Sequence, residues 1–329
     1  MEIHPTVSHN ATDSIVREIS TSDVDELSLF QRHKNRRYTQ LQPGQLNGEY
    51  LEANLGEVQI FRENLNAGAL IEAAPASTFL PFAAVISNAD NFNYCGKQRG
   101  KNTILQATGG FWDASFKQHL KFIVAAFDRD TFCRNIELLT GEEIPNTWLV
   151  SKASLTEASS LKNYADGLES ILTTVQNSPE ILKKENAQRM LADSILRLTL
   201  AVLTKTTPIN EMQVTQSNRA KGVRLVIDYL HHYAEQVPTI PELCNIAQLS
   251  ERNLQYAFNE YLGITPIRYL RLVRLNGVKR DLVHAIPNKD RIVDIALNWG
   301  FLELGRFAGE YRQLFQELPS ETLSKNKML

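Results

Sequence analysis

Residues 291–315 read RIVDIALNWGFLELGRFAGEYRQLF, and two helical periods lie on either side of Trp299-Gly300. Ile292, Ile295 and Ala296 fall on one face of a short first helix, while Phe307, Tyr311 and Leu314 recur at inward spacing in a second. That is the spacing of a helix-turn-helix. Gly300 supplies the positive φ that so tight a turn requires, and Phe301 is placed to fill the angle between the helices. Taken alone, the stretch is open to two readings: a DNA-reading pair, or the commoner case of a helical hairpin joined by glycine.

Working outward toward the N-terminus, the same unit recurs at residues 240–266, IPELCNIAQLSERNLQYAFNEYLGITP. Thr239 and Glu242 have the spacing of a capping box for its short helix. Ser250 is the cap of a longer one, with Leu254, Phe258 and Leu262 facing inward and Arg252, Gln255, Tyr256 and Asn259 facing outward. Gly263 ends that helix. Thr265 as cap and Pro266 at the first position then launch a long helix to about His284. In both copies a short helix, a turn, a longer helix ending in an aromatic residue and a later proline follow one another, so the unit is duplicated. An upstream helix carries Val223, Val226, Ile227, Leu230 and Tyr233 on one face. Two reading helices on one rigid connector are expected to enter successive major grooves, about 34 Å apart.

Between Ser154 and Lys205 two amphipathic patterns flank Asn177-Ser178-Pro179. The first carries Leu161, Ala165, Leu168, Ile171, Leu172 and Val175, the second Met190, Leu191, Ile195, Leu198, Val202 and Leu203. Their apolar faces need a partner, either the N-terminal part of the chain or the same helices of a second copy. Residues 205–218, KTTPINEMQVTQSN, read as a polar linker. From about Val16 to Ile144 the pattern is one of short alternating runs with turn signals between them: Tyr38–Leu41, Gly48–Leu55, Val58–Arg62, Ala69–Glu72 and Phe82–Ile86. A strand then continues into a short helix ending at Gly141. Many short strands predict a barrel or sandwich of about 150 residues.

Composition bounds the chemistry. At 329 residues with 43% hydrophobic and 22% charged side chains, the chain is long enough for two cores. A net charge of −2 argues against nucleic acid as a partner for the whole surface, but the charge is split. Residues 217–329 carry 15 basic against 12 acidic side chains, and the remainder 20 against 25. Such a small excess predicts weak phosphate binding by one copy and a need for a second copy or a second contact surface. Cys95, Cys133 and Cys244 form no CxxC pair, so neither a zinc site nor a disulfide framework is expected, and a reducing cytosol fits. The N-terminus lacks the features of an export signal, and no run approaches the ~20 apolar residues of a membrane span. Only His33 and His119 fall in the strand region and no HxH pair occurs, so metal catalysis is not expected. No phosphate-binding loop, dinucleotide fingerprint or nucleophile elbow is present. No catalytic residue or cofactor is therefore assigned. Tyr38, Arg62, Trp112 and His119 are candidates for the wall of a barrel interior that holds a small molecule; each also reads as a packing or surface residue.

With both copies in view, residues 220–323 resemble the AraC/XylS family of bacterial transcription regulators. The residues that carry the resemblance include Leu243, Ala247, Leu249, Ser250, Leu254, Phe258, Gly263, Pro266, Tyr269, Arg274 and Leu275. In the second copy they are Ile295, Ala296, Gly300, Phe301, Phe307, Tyr311, Phe315 and Pro319. RYTQLQPGQLNGEY and EVQIFRE also look like the barrel-shaped regulatory domain that precedes this unit in many members. The resemblance implies an α+β multidomain chain. Residues 1–150 would form a cupin-like regulatory barrel, 151–216 a helical dimerisation segment and linker, and 217–329 an all-α double helix-turn-helix domain. It further implies a cytoplasmic, non-enzymatic activator that binds promoter DNA as a homodimer, contacts RNA polymerase and responds to a small organic effector.

By the same resemblance, base contacts fall to Arg252, Gln255 and Tyr256 in the first copy and to Leu304 and Arg306 in the second, with phosphate contacts from Ser250, Asn259 and Arg312. The second copy departs from the family pattern. Gly305 and Gly309 offer no side chain to a base, Glu303 replaces a better cap residue, and Gln316 stands where glycine is usual. Arg274 shares a stripe with Leu270, Val278 and Leu282 and is read as a structural tie. Two rivals remain: an alkyl-transfer repair enzyme fused to this DNA-binding module, which needs an activated cysteine, and a structural DNA-bending protein.

Overall fold

The computed structural model describes residues 16–31, 34–76, 78–86, 92–107, 110–209, 218–287 and 289–325. His33, the first 15 residues and most of the expected linker lie outside the described residues.

Two antiparallel sheets face each other in the N-terminal part. The larger has the order β1 (Val16–Thr21), β3 (Gly48–Asn54), β4 (Val58–Leu65), β11 (Leu120–Asp128), β6 (Phe79–Val85), β9 (Thr103–Gln106), β12 (Ala153–Leu155) and β13 (Thr207–Pro208). The smaller runs β2 (Arg36–Gln40), β5 (Ala69–Ala73), β10 (Trp112–Phe116), β7 (Phe92–Tyr94) and β8 (Lys97–Arg99). A helix α1 (Val24–Phe30) lies between β1 and β2 in the chain. The strands expected from alternation at 38–41, 48–55, 58–62, 69–72 and 82–86 all occur, each shifted or extended by a few residues. The helix α2 (Arg129–Thr140) ends at Gly141 in the left-handed region, as expected.

Strand alternation divides the apolar residues among layers. On β11, Phe122, Val124 and Ala126 enter the core between the sheets. Ile123, Ala125 and Phe127 of the same strand enter a second core behind the larger sheet. Past the short α3 (Asn146–Val150), two long helices, α4 (Ala158–Asn177) and α5 (Glu185–Leu203), fill that second core with Leu161, Leu168, Leu172, Val175, Ile195 and Val202. Of the two partners open to these helices, the sheet is the one they meet within a single chain. The sheet itself runs past residue 150, because β12 pairs with β9 through Ala153, Ser154 and Leu155.

The C-terminal part is helical: α6 (Asn218–Tyr233), α7 (Ile240–Ala247), α8 (Glu251–Leu262), α9 (Pro266–His284), α10 (Ile292–Asn298), α11 (Leu304–Phe315) and α12 (Pro319–Lys325). Its core holds the expected apolar residues of both copies. Tyr233 is a correction: it is 45% exposed, because α6 gives way there to a 3-10 turn that buries Ala234 in its place. Leu41 and Leu70, from the smaller sheet, are buried in this same helical core. The helical part is therefore packed against the outer face of the smaller sheet.

Candidate nucleic-acid interface and the sheet that carries it

Local chemistry sets the first reading helix. Thr239 and Glu242 form the reciprocal capping box of α7. The Ser250 hydroxyl accepts from the Asn253 backbone N–H at the start of α8, and Gly263 closes that helix at φ 71°. Leu254, Ala257 and Phe258 are buried, while Arg252, Gln255, Tyr256 and Asn259 are exposed. Members of the exposed set meet neighbours on their own helix: Gln255 donates to Glu251 at 3.1 Å, and the Arg252 guanidinium lies 5.6 Å from the Tyr256 ring centre. Such contacts are weak and exposed, so these side chains remain open to base edges.

The second reading helix is built differently. Glu303 precedes α11 without a side-chain capping bond, and Gln316 ends it in the left-handed region at φ 60°, where a non-glycine residue is strained. A side chain on Gly305 or Gly309 would meet nothing within 4 Å, so the bare stripe of α11 faces outward. Arg306, on the same side, is held by Glu310 at 3.0 Å, and Glu310 also takes Arg271 of α9. Leu304 is 36% exposed and Leu302 81% exposed. Sequence reading passed over Leu302, whose signal is an apolar residue directly after the buried Phe301. Arg312 is exposed near the end of the helix.

Arg274 joins the copies as expected. Its Nε donates to the Trp299 carbonyl, and its guanidinium lies 4.5 Å from the Phe301 ring centre. Gly300, at φ 71°, admits it: a Cβ there would lie 2.7 Å from the guanidinium.

The far end of α8 is fixed by the smaller sheet. The Tyr261 hydroxyl donates to Asp113 of β10 at 2.5 Å and accepts from Arg224 of α6 at 2.8 Å, while Arg224 also pairs with Asp113 at 3.4 Å. The Tyr261 carbonyl accepts from Asn93 of β7 at 2.8 Å. Gly96, at φ 73°, is required here, since a Cβ would sit 2.3 Å from the Tyr261 ring. One strand away, Glu72 of β5 stands in register with Asp113 and pairs with His231 of α6. Two adjacent carboxylates on the sheet thus meet Arg224 and His231, seven residues apart on α6. Burial pushes the Asp113 carboxyl above its ordinary range despite these partners. A second dock lies by α9, where Asn276 exchanges two hydrogen bonds with the Gln40 backbone at 3.1 Å each, and Gly44 donates to the Leu314 carbonyl of α11 at 2.9 Å. Sequence reading did not find this interface; its signal was one acidic residue at an alternating position in each of ALIEA and WDASF.

The opposite face of the same strands bounds a cavity of about 50 Å³. Arg36, Ala73, Trp112 and Ala114 line it, alternating with the docking residues Glu72 and Asp113. Of the four wall candidates, Trp112 alone is on the lining. Tyr38 lies behind it, buried between Gln31 and Glu63. Arg62 is corrected, because alternation on β4 turns it to the other face, where it pairs with Glu169 of α4. His119 is corrected too, lying exposed at the β10–β11 turn beside Asn64.

Among the described residues no helix is long and apolar enough to cross a membrane, and no cluster of His, Cys, Asp and Glu could hold a metal.

Residues 243–325 match the family model described as a helix-turn-helix domain. The probable thc operon regulatory protein of Rhodococcus erythropolis is 44% identical over 101 residues, 31% of this chain and 30% of that protein. The XylDLEGF operon transcriptional activator 2 of Pseudomonas putida is 38% identical over 103 residues, 31% of this chain and 66% of that protein. The match spans less than two thirds of the length of these relatives. Among solved structures, a probable AraC family transcriptional regulator from Rhodopseudomonas palustris is 34% identical, covering 32% of this chain and 95% of that one at a TM-score of 0.30. The AraC-like transcriptional activator CuxR is 14% identical, covering 86% of this chain and 100% of that one at a TM-score of 0.37. Residues 243–325 thus form a helix-turn-helix domain similar to those of AraC/XylS family transcription regulators.

Proposed function

We propose that the chain is a sequence-specific DNA-binding transcription regulator, an activator acting on promoter DNA in the bacterial cytoplasm. The observation that carries this reading is the exposed row Arg252, Gln255, Tyr256 and Asn259 on a helix whose buried face is fully packed. Arginine matches guanine and glutamine matches adenine in the major groove, while Leu304 and Arg306 add contacts from the second helix and Ser250, Asn259 and Arg312 meet phosphates. The small basic excess of residues 217–329 supports two copies acting together, with 151–216 as the pairing segment and RNA polymerase as the protein contacted. Residues 1–150 then serve as the effector-binding part.

Control has a physical route in this arrangement. A ligand that shifts β10 moves Trp112 on one face and Asp113 on the other, and Asp113 holds the end of α8. The alkyl-transfer rival finds no support in the thiols, since burial pushes all three cysteines above their ordinary range, away from the reactive thiolate.

Selection of binding sites from random duplex DNA with the full chain tests the reading. Enrichment of one conserved sequence is expected; affinity for all duplexes without enrichment would favour the DNA-bending rival, and no retention of DNA would overturn the proposal.

A further inference from the structure

The cavity between the sheets is lined almost wholly by apolar side chains, among them Phe61, Phe92, Tyr94, Trp112 and Phe122, with Lys34 and Arg36 as its charged residues. Neither cation is free. Arg36 pairs with Glu63, their side chains 2% and 0% exposed, and Lys34 pairs with Glu52 at 3.1 Å, both 4% exposed. The Tyr50 hydroxyl also meets Lys34 and donates to Glu52. Two buried cations are thus matched by two buried carboxylates, and Glu52 also takes the half-exposed Arg17 at 3.1 Å. An acidic ligand would have to break one of these pairs or add an unmatched negative charge to a poorly solvated space, and both are costly.

One donor is left over. The Nε of Arg36 is buried and has no hydrogen-bond partner, while the guanidinium stands 5.1 Å from the Trp112 ring centre and 5.6 Å from that of Phe122. A buried N–H without an acceptor is destabilising until an acceptor arrives. The Tyr94 hydroxyl is already spent on the Gln106 carbonyl. At about 50 Å³ the cavity has several times the room that one water needs but about a third of the ~150 Å³ that holds a benzene ring, the scale of a short chain of a few heavy atoms.

We propose that this cavity takes a small, uncharged, largely apolar molecule bearing a single hydrogen-bond acceptor, which the Arg36 Nε–H engages, and that it discriminates against organic acids of the same shape. The inference rests on the effector-binding reading of residues 1–150 and names the chemistry of that ligand.

Three isosteric probes of a size the cavity can hold separate the elements of the claim: acetone, neutral with one acceptor; acetate, charged; and isobutene, neutral with none. Their affinities for the purified full chain are measured by ligand-observed NMR and calorimetry. Acetone is expected to bind at least tenfold more tightly than either of the others. The variant Ala83→Leu, which fills the cavity from β6, is expected to lose that binding while keeping its melting transition. Arg36→Lys should narrow the gap between acetone and isobutene. Acetate binding as tightly as acetone would overturn the neutral-ligand claim and leave the effector reading standing. Isobutene binding as tightly would overturn the role of Arg36. Failure of all three to bind, or binding unchanged in Ala83→Leu, would overturn the cavity as a ligand site and the effector reading with it.

Discussion

The two helix-turn-helix units share a plan and differ in what they do with it. In the first, α8 presents Arg252, Gln255, Tyr256 and Asn259 to solvent, and its last turn is tied by Tyr261 to the sheet behind it. In the second, α11 presents Gly305 and Gly309, its outward Arg306 is engaged by Glu310, and its entrance is fixed by Arg274 within the helical part. On the proposed function, the first unit has side chains that discriminate and a connection through which it can be controlled. The second has a bare face, and its last turn meets the sheet part through the Leu314 carbonyl, which accepts from Gly44 and from the Gln40 side chain. The proposal thus divides a duplicated fold between reading and anchoring.

The strongest way to break this contrast is to cut the tie. Asp113→Ala leaves Arg224 without its buried carboxylate and Tyr261 without its acceptor, at a cost of about 3 kcal/mol. In hydrogen exchange the protection of residues 251–262 is expected to fall while that of 304–315 is kept; equal loss in both helices would show that the tie serves the whole helical part. Next comes reading itself. Arg252→Ala should cost ~1–3 kcal/mol at one base pair, measured by fluorescence anisotropy on duplexes differing at that pair. Arg306→Ala should weaken binding to all of those duplexes alike.

A third test uses pH to separate the sheets from the helices. Burial pushes the Lys34 ammonium down to about 7 from its ordinary 10.5, so between these values the unfolded chain binds a proton that the folded one lacks. The stability of the sheet part should therefore rise with pH across that window, by at most about 1.4 kcal/mol per pH unit, and Lys34→Met should flatten the rise. Denaturation followed by hydrogen exchange at pH 7 and pH 9 reads this; a rise kept in Lys34→Met would place its source elsewhere. The smallest effect belongs to the bare helix. Gly309→Ala removes backbone entropy from the unfolded chain and should stabilise α11 by roughly 0.5–1 kcal/mol in a thermal melt. Its effect on DNA affinity sharpens the comparison, since a loss would mark Gly309 as a point of close backbone approach.

The helical half was readable because its signals are local. Ser250, Gly263, Thr265 and Pro266 each cap, close or start a helix as their chemistry dictates, and period 3.6 sorted buried from exposed residues. Legibility failed where a turn departs from residue preference: Gln248 and Val237 take φ values of 53° and 52° without being glycine. In the sheets, longer strands announced themselves, but β7 and β8 span three residues each, too few to alternate. Strand order was not local at all, since β11 lies between β4 and β6. The buried quartet Lys34, Arg36, Glu52 and Glu63 reads as surface in sequence, and only pairing across strands lets it be buried. Arg62 was misplaced for the same reason, because which face a strand residue takes depends on register with distant neighbours, whereas His119 falls in the turn between β10 and β11.

The central claim is that α8 reads and α11 anchors. Binding-site selection with two double variants, Arg252→Ala/Gln255→Ala and Leu304→Ala/Arg306→Ala, tests it most directly. The account predicts that the first pair erases the base preference of one half of the site, while the second lowers affinity and changes the selected sequence far less. Erasure of preference by the second pair, with the sequence intact in the first, would contradict it.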